Sequence, residues 1–308
     1  MQIQQKTQQR AQRYIGITGL KTIKEVLKAV SLFKNRKVNC NYYYYYCDDN
    51  ECGCKGLITP HKQMLGFLVS DKRLQDPNSE GTQSPALKHL NDLIDCAVAM
   101  AEQRNDICIP MIHYYTQNRD KLAEEISKVF TPLYERCKAV QINIAWPDIS
   151  QIEKIKQEFP ELHIVLQLNK EAMDKAKGEE LIQRAKEYEK LIEYILIDSS
   201  GGKGVEFDVE KCAEIVYALT INFTNKNIGI AGGFDGDNVE QRVWAIYKKL
   251  QTAETIREPL FCIDAQGKLR TPDKEAIDTA KMEKYIRKAM LAFRKAQHDY
   301  DEEYFDRR

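Results

Sequence analysis

Apolar residues along the chain recur in short runs that alternate with longer amphipathic stretches. The short runs are typical of buried parallel strands, which are apolar on both faces. The longer stretches carry apolar residues three and four positions apart, as in a helix with one buried face. We predict strands at residues 13–17, 64–69, 107–113, 139–144, 162–168, 194–197, 227–231 and 260–264.

A helix is predicted after each strand, and the clearest periodic patterns cover residues 21–33, 86–103, 119–136, 170–190, 209–219, 238–250 and 279–297. Asp148 follows Pro147 and is expected to cap the helix after the fourth strand. Eight strand–helix units favour a single (β/α)8 TIM barrel over an open doubly wound sheet. The carboxyl ends of all strands should then face one rim, where the active sites of such barrels lie.

Residues 35–62 interrupt this alternation after the first helix, and five consecutive tyrosines, Tyr42–Tyr46, lie within them. We therefore predict one barrel at residues 13–298 that carries a Cys/Tyr-rich insertion at 35–62. A flexible N-terminal tail at residues 1–12 and a charged C-terminal tail at 299–308 are expected to flank it.

Four cysteines stand in the insertion: Cys40, Cys47, Cys52 and Cys54. Four thiolates suit a tetrahedral structural Zn²⁺, and a short polar loop has little apolar material to fold around. The spacing lacks a C-x2-C pair, so a tyrosine-rich hairpin with reduced cysteines is the alternative. The tyrosines can also form a contact with a protein partner or with a second copy of the chain. No cofactor is expected for chemistry in the barrel itself.

Composition mainly excludes other classes of protein. Lys+Arg and Asp+Glu each number 46, so no net charge favours nucleic acid or an anionic membrane. No apolar run approaches the roughly 20 residues of an ordinary transmembrane helix, and the Gln-rich N-terminus lacks the apolar core of a signal peptide. The other cysteines sit singly in apolar patterns, as small buried hydrophobes do in a reducing compartment. The cytoplasm is the expected location.

The sixth and seventh strands each lead into a glycine-rich loop. Asp198 ends the sixth strand, and the loop glycines of the two strands are Gly201, Gly202 and Gly204, then Gly232 and Gly233. Glycine lets backbone N–H groups approach an anion closely, and the following helix N-terminus adds a positive dipole end. Because the loops are neighbours on one rim, we predict a phosphate site there. Turn glycines without a ligand are the alternative.

These motifs resemble those of phosphoribosylanthranilate isomerase. Its strand-six loop is similar to Ile195-Leu196-Ile197-Asp198 followed by Gly201-Gly202-x-Gly204, and its strand-seven loop to Ile230-Ala231-Gly232-Gly233-Phe234. Weaker matches are Gly16-Ile17-Thr18, Leu65-Gly66-Phe67, Val140-Gln141-Ile142 and Ile263-Asp264-Ala265-Gln266-Gly267. The resemblance covers most of residues 13–296 apart from the insertion.

The resemblance implies an enzyme that converts an aminoaldose phosphate into an aminoketose phosphate. A general acid protonates the ring oxygen of the sugar, and its position falls on Asp198. A general base, a cysteine in the family, takes the proton from C2, and its position falls on Ile15, which cannot transfer a proton. The family's arginine for the substrate carboxylate is expected after the second strand, where Arg73 and Lys72 are the candidates.

Three further residues are candidates at the same rim. His113 can replace the missing base because its ordinary pKa lies near neutrality, although a lone histidine in an apolar run is more often a packing residue. Asp264 can contact the ligand or hold a neighbouring loop, and Gln141 is expected inside the barrel near its opening.

Two functions follow. The first is an aldose–ketose isomerase that binds a phosphorylated sugar derivative, with its base displaced to His113 or to a cysteine of the insertion. The alternative is a catalytically inactive relative that binds a small phosphorylated ligand or a protein partner.

Overall fold

The computed structural model describes residues 12–33, 61–102, 108–198, 208–253, 256 and 259–306. Within these ranges eight parallel strands close into a barrel in chain order. They are β1 (Tyr14–Thr18), β2 (Lys62–Ser70), β3 (Cys108–Tyr115), β4 (Ala139–Ile142), β5 (His163–Asn169), β6 (Tyr194–Asp198), β7 (Asn227–Ala231) and β8 (Cys262–Ala265). The predicted (β/α)8 barrel is confirmed, and each strand lies within two residues of its predicted ends.

Helices cover the outside of the barrel. Those in the described residues are α1 (Ile23–Leu32), α2 (Asp71–Gln75), α3 (Leu90–Glu102), α4 (Leu122–Phe130), α5 (Ile149–Glu158), α6 (Lys170–Lys175), α7 (Glu179–Lys186), α8 (Val209–Asn222), α9 (Val239–Gln251) and α10 (Thr279–Asp306). Short 3-10 turns lie at Leu87–His89, Arg119–Lys121 and Gly267–Leu269.

Local sequence explains several helix boundaries. Asp148 caps α5 as predicted, because its carboxylate accepts a hydrogen bond from the Ser150 N–H at 2.7 Å. The single helix predicted at 170–190 is wrong: α6 and α7 are separated at Gly178, whose φ of 54° is incompatible with a continuing right-handed helix. The charged segment predicted as a C-terminal tail is helical as far as Asp306, since α10 continues through it.

Side chains alternate along each strand between two apolar layers. The outer layer, between strands and helices, includes Ile15 and Ile17. The inner layer fills the barrel with Tyr14, Met64, Met111, Ala139, Val165, Tyr194, Leu196, Ala231 and Cys262. The carboxyl ends of the strands form what we call the mouth, and there the buried residues are polar: Thr18, His113, Gln141, Gln167, Asp198 and Asp264.

Among the described cysteines, Cys108, Cys137, Cys212 and Cys262 are buried free thiols and Cys96 is half-buried. Burial raises the pKa of the Cys137, Cys212 and Cys262 thiols to about 12, so these groups are structural and unreactive. The insertion cysteines Cys40, Cys47, Cys52 and Cys54 lie outside the described residues, as do Tyr42–Tyr46. In the described ranges, no helix is both long and apolar enough to cross a membrane.

Candidate functional site

A cavity of about 350 Å³ opens at the mouth of the barrel. Its lining comes from the ends of β2 to β8 and from residues 81–84, which lie after α2. The buried polar residues of the lining are His113, Gln141, Gln167, Asp198 and Asp264. Gly232 and Gly233 line the same cavity. The structure therefore brings together most of the predicted site residues that it describes.

Asp264 is held from β1. The Thr18 hydroxyl lies 2.9 and 2.8 Å from the two carboxylate oxygens of Asp264 and donates its one proton to them. The same hydroxyl oxygen lies 3.4 Å from His113 Nε2 and can accept from that nitrogen while it donates to the carboxylate. Three strands thus contribute to one hydrogen-bonded chain of His113, Thr18 and Asp264.

The environment of Asp264 favours its protonated form. Burial is the main cause that raises the pKa of this carboxyl to about 7, and the negative charge of Asp198 acts in the same direction. The hydrogen bond from Thr18 opposes the shift because it stabilises the carboxylate. Asp264 therefore exchanges its proton in the pH range where most enzymes act.

Two glycines make room for this chain. A Cβ atom on Gly66 would lie 2.9 Å from His113 Nε2 and even closer to the Thr18 hydroxyl. A Cβ atom on Gly16 would lie 2.7 Å from a carboxylate oxygen of Asp264. The space that a larger residue would fill is therefore occupied by the polar groups of the mouth.

A second chain of hydrogen bonds leads to Asp198. Gln141 Nε2 donates to Gln167 Oε1 at 3.0 Å, and Gln167 Nε2 donates to Asp198 Oδ2 at 2.8 Å. The other end of the Gln141 amide, its Oε1 atom, is buried without a hydrogen-bond partner in the described part of the chain. Because Gln141 lines the cavity, this oxygen is placed to accept from a hydroxyl or amine of a ligand.

The two aspartates lie at the same level of the barrel. Asp198 on β6 is opposite Ala231 on β7, and Ala231 is opposite Asp264 on β8. Adjacent strands are about 4.8 Å apart, so two strand spacings separate the backbones of the aspartates by roughly 9 Å. Ala231, the small residue between them in the register, lines the same cavity as the two aspartates.

The turn after β7 has a fixed shape. Gly232 and Gly233 have φ angles of 101° and 65°, which L side chains rarely adopt. The Gly233 carbonyl accepts hydrogen bonds from Asn238 Nδ2 at 2.8 Å and from Arg242 Nη1 at 2.7 Å. The turn is thereby tied to the start of α9, and the two glycines are held at the cavity wall.

The predicted residue Arg73 and the position of the family's base, Ile15, both lie away from the cavity. Arg73 does not line it, and its Nη1 atom donates to the Ser79 hydroxyl within the segment that follows α2. Ile15 points into the outer apolar layer and is fully buried there. The glycines Gly201, Gly202 and Gly204 lie outside the described residues.

Sequence reasoning gave neither Thr18 nor Gln167 a role in the site. The alternation of side chains between the two faces of β1 could have identified Thr18. If Gly16 faces the barrel interior, Thr18 does so as well, one residue pair closer to the mouth.

Solved structures share this fold at low sequence identity. The N-(5'-phosphoribosyl)anthranilate isomerase of Pyrococcus furiosus is 14% identical with a TM-score of 0.51, over 91% of this chain and 99% of that one. The Rubisco of Pyrococcus horikoshii and a Rubisco-like protein of Rhodopseudomonas palustris are 12% and 9% identical, each with a TM-score of 0.52 over 91% of this chain. This chain spans 59% and 64% of those two longer chains.

These likenesses show the barrel fold alone. No protein-family model matches the chain, and the comparison with curated protein sequences finds no match.

Proposed function

We propose that this protein binds a phosphorylated sugar derivative at the mouth and interconverts its aldose and ketose forms. The observation that carries the proposal is the placement of Asp198 and Asp264 at one level of a single cavity. The double-glycine turn of the intervening strand lies beside them at the cavity wall. Two carboxyl groups next to a candidate anion site are the parts that such a reaction needs.

The chemistry requires one group that gives a proton and one that takes a proton. The ring oxygen of the sugar must be protonated as the ring opens, and the proton on C2 must be removed. Asp198 is the proposed acid, in the position that the resemblance implies. Ile15 can take no part, because it is buried in the outer layer, so the base comes from another group of the mouth.

The phosphate group is proposed to bind at the Gly232–Gly233 turn. Backbone N–H groups of such a turn can surround an anion, and α9 begins six residues later at Val239 with its positive dipole end. The predicted contribution of Gly201, Gly202 and Gly204 falls outside the described residues. The ligand's hydroxyl groups would meet the amides of Gln141 and Gln167, which line the cavity.

Turnover of phosphoribosylanthranilate, followed by the loss of its fluorescence, tests the proposal. We expect measurable turnover by the wild type and a loss of at least about 100-fold in Asp198→Asn, which keeps the shape of the side chain but cannot donate an acidic proton. Asp92→Asn, at an exposed position on α3, is the matched control and should keep full activity. Sugar phosphates without the aromatic group test the wider substrate class in the same way. Equal activity of Asp198→Asn and wild type would contradict the proposed role of Asp198.

The alternative is a binding protein without catalytic activity, and the position of Ile15 favours it. The residue that the resemblance aligns with the catalytic cysteine is apolar and turned away from the cavity. A sugar phosphate should then raise the melting temperature through the Gly232–Gly233 turn although no turnover occurs. That pair of results would leave binding as the function.

The zinc site and the protein contact predicted for the insertion remain predictions. Metal analysis of the purified wild type and of the Cys52→Ser/Cys54→Ser variant tests the zinc site, because an unchanged zinc content in the variant would remove it. Measurement of the oligomeric state in solution tests association between copies of the chain.

A further inference from the structure

We infer that Asp264 is the general base of the proposed isomerisation, and that Thr18 and His113 position it. The inference rests on the proposed function and assigns the role that the sequence leaves to an unidentified residue. Asp264 lines the cavity, and its carboxylate is anchored by the Thr18 hydroxyl at 2.9 and 2.8 Å.

His113, the base that the sequence suggests, is poorly suited to that task. Its side chain is buried, and burial lowers the pKa of the imidazole to about 3. An imidazole with so low a pKa is a weak base, and its Nε2 atom faces the Thr18 hydroxyl at 3.4 Å. As a neutral ring whose Nε2–H donates to Thr18, it orients the hydroxyl proton towards Asp264.

A carboxylate suits proton removal from carbon when its pKa is raised towards the working pH, because its basicity rises while part of it stays ionised. The titratable groups that act electrostatically on Asp264 or are acted on by it come from several elements. They are Asp198 on β6, Tyr14 on β1 and Tyr285 on α10, with His113 on β3 connected through Thr18. Burial holds the pKa values of Tyr14 and Tyr285 well above their ordinary value, so both stay neutral. The ionised form of Asp198 raises the pKa of Asp264, and protonation of Asp198, which its role as the acid requires, removes this repulsion and favours the Asp264 carboxylate.

The proton transfers balance without any further reactant. Asp198 gives its proton to the ring oxygen as the C1–O bond breaks, and the lone pair of the amino nitrogen forms the C1=N bond. Asp264 then takes the proton from C2; the electrons of the C2–H bond form the C1=C2 bond, and those of the C1=N π bond return to nitrogen. Finally Asp264 delivers its proton to C1 while the C2 hydroxyl proton returns to Asp198. Both aspartates end in their starting states.

The arrangement of the strands fits this division of roles. Asp198 and Asp264 lie two strands apart at one level, so a sugar bound between them presents different atoms to the two carboxyl groups. Gly16 leaves space for the Asp264 carboxylate and Gly66 leaves space for Thr18 and His113, because a Cβ atom at either position would lie against these groups. Asp264 is thus held by one side of the mouth and directed into the cavity.

The first experiment separates binding from proton removal. We measure the shift in melting temperature caused by phosphoribosylanthranilate, and the exchange of its C2 proton with D2O, in wild type and in Asp264→Asn. Asp264→Asn should keep the melting shift and lose at least about 100-fold in exchange rate, whereas Asp92→Asn should match the wild type. Exchange by Asp264→Asn within about threefold of wild type would overturn the assignment and leave the proposed function intact. If the wild type neither binds nor exchanges, the proposed function fails and the inference fails with it; if it binds without exchange, only the binding alternative remains.

The second experiment substitutes Thr18 and His113, the residues that position Asp264, and does not need the Asp264→Asn variant to fold. In wild type, kcat/KM should rise with pH as Asp264 ionises, in the form of the enzyme that still carries the proton that Asp198 donates. Thr18→Val removes the donor that stabilises the carboxylate and should move this limb to higher pH, while Thr18→Ser restores it. His113→Gln should shift the rising limb of the pH profile without abolishing activity. A rising limb that is identical in wild type and Thr18→Val would assign the base elsewhere.

Discussion

Thr18 and Asp264 are 246 residues apart in the sequence, yet the hydroxyl of one donates to both carboxylate oxygens of the other. They lie on β1 and β8, the strands whose pairing closes the barrel, where Gly16 is opposite Asp264. The hydrogen bond therefore crosses the closure of the sheet and organises the candidate site at the same time. The stability of the fold and the protonation of the mouth are coupled through this contact.

The stability of the protein should depend on pH through Asp264. Its pKa is about 7 in the folded protein and about 3.9 in an unfolded chain, so between these values the folded state holds a proton that the unfolded state releases. The free energy of unfolding should therefore fall as the pH rises from about 4 to 7 and then stay level. Between pH 5 and 8 the loss due to this group is on the order of 2–3 kcal/mol.

Urea denaturation of wild type and Asp264→Asn at pH 5 and pH 8 measures the contribution of Asp264 to the free energy of unfolding. In the difference between the two proteins, the contributions of all other groups cancel. Wild type should lose more stability than the variant on going to pH 8. Parallel pH dependences in the two proteins would show that Asp264 titrates at its ordinary value.

His61 should have the opposite effect at acid pH. Burial lowers the pKa of this histidine to about 3, and its ring nitrogen lies 2.9 Å from the Phe261 carbonyl oxygen while the ring packs against Phe293. The unfolded chain binds a proton at about pH 6.5 that the folded protein does not, so the stabilising effect is present above that pH and is lost as the pH falls towards 3. Acidification from pH 6.5 to 4.5 should cost His61→Gln roughly 2–3 kcal/mol less than it costs the wild type.

Urea denaturation at the two pH values provides the measurement, and His89→Gln provides the control because His89 is exposed. An acid sensitivity of His61→Gln equal to that of wild type and of the control would place the titration at another group. His113, whose pKa is lowered in the same way, should contribute a similar acid-dependent loss.

Gly66→Ala should disrupt the contact between Thr18 and His113. The added methyl group would lie 2.9 Å from His113 Nε2 and 3.0 Å from the Thr18 Cα atom, so the backbone or both side chains must move. Overpacking of this kind costs about 1–3 kcal/mol of stability. Chemical denaturation measures the loss.

Gly81→Ala is a useful comparison, because the nearest atom to its added methyl group is the mobile Ser84 hydroxyl. Its effect should be smaller than that of Gly66→Ala. Equal stability of Gly66→Ala and wild type would mean that the interior of the barrel has free space beside Thr18.

Gly232→Ala should weaken the binding of a sugar phosphate and also the fold. The φ of Gly232 is 101°, so an alanine forces the turn to another conformation and moves the N–H groups that are proposed to meet the phosphate. Gly178→Ala is the matched control. The φ of Gly178 is 54°, so an alanine there also strains the backbone, and nothing lies within 4 Å of the added Cβ atom.

Both variants should lose roughly 1–3 kcal/mol of stability in denaturation experiments. Only Gly232→Ala should lose the increase in melting temperature caused by a sugar phosphate. Retention of the full increase in that variant would move the anion site away from the β7 turn.

Much of the site followed from local sequence. Asp198, His113, Gln141 and Asp264 were predicted at strand ends, and the structure brings them to one cavity because parallel strands of a barrel end at one rim. The position of Arg73 was less predictable: it lies in the short helix α2, but its guanidinium is held by Ser79, which belongs to the irregular segment after that helix. Irregular segments have no period from which side-chain direction can be read.

The pattern of apolar runs and helical stretches by itself determined the number and order of the strands, the closed barrel and the rim on which polar residues end. The strands and helices follow from periods within short segments, and the closed barrel follows from the number of strand–helix units. Only the tertiary structure decided that Ile15 faces the helices, that Gly16 and Gly66 admit polar neighbours, and that Thr18 anchors Asp264. The register between β1 and β8 sets these contacts, and register arises when the sheet closes and buries one face of every strand.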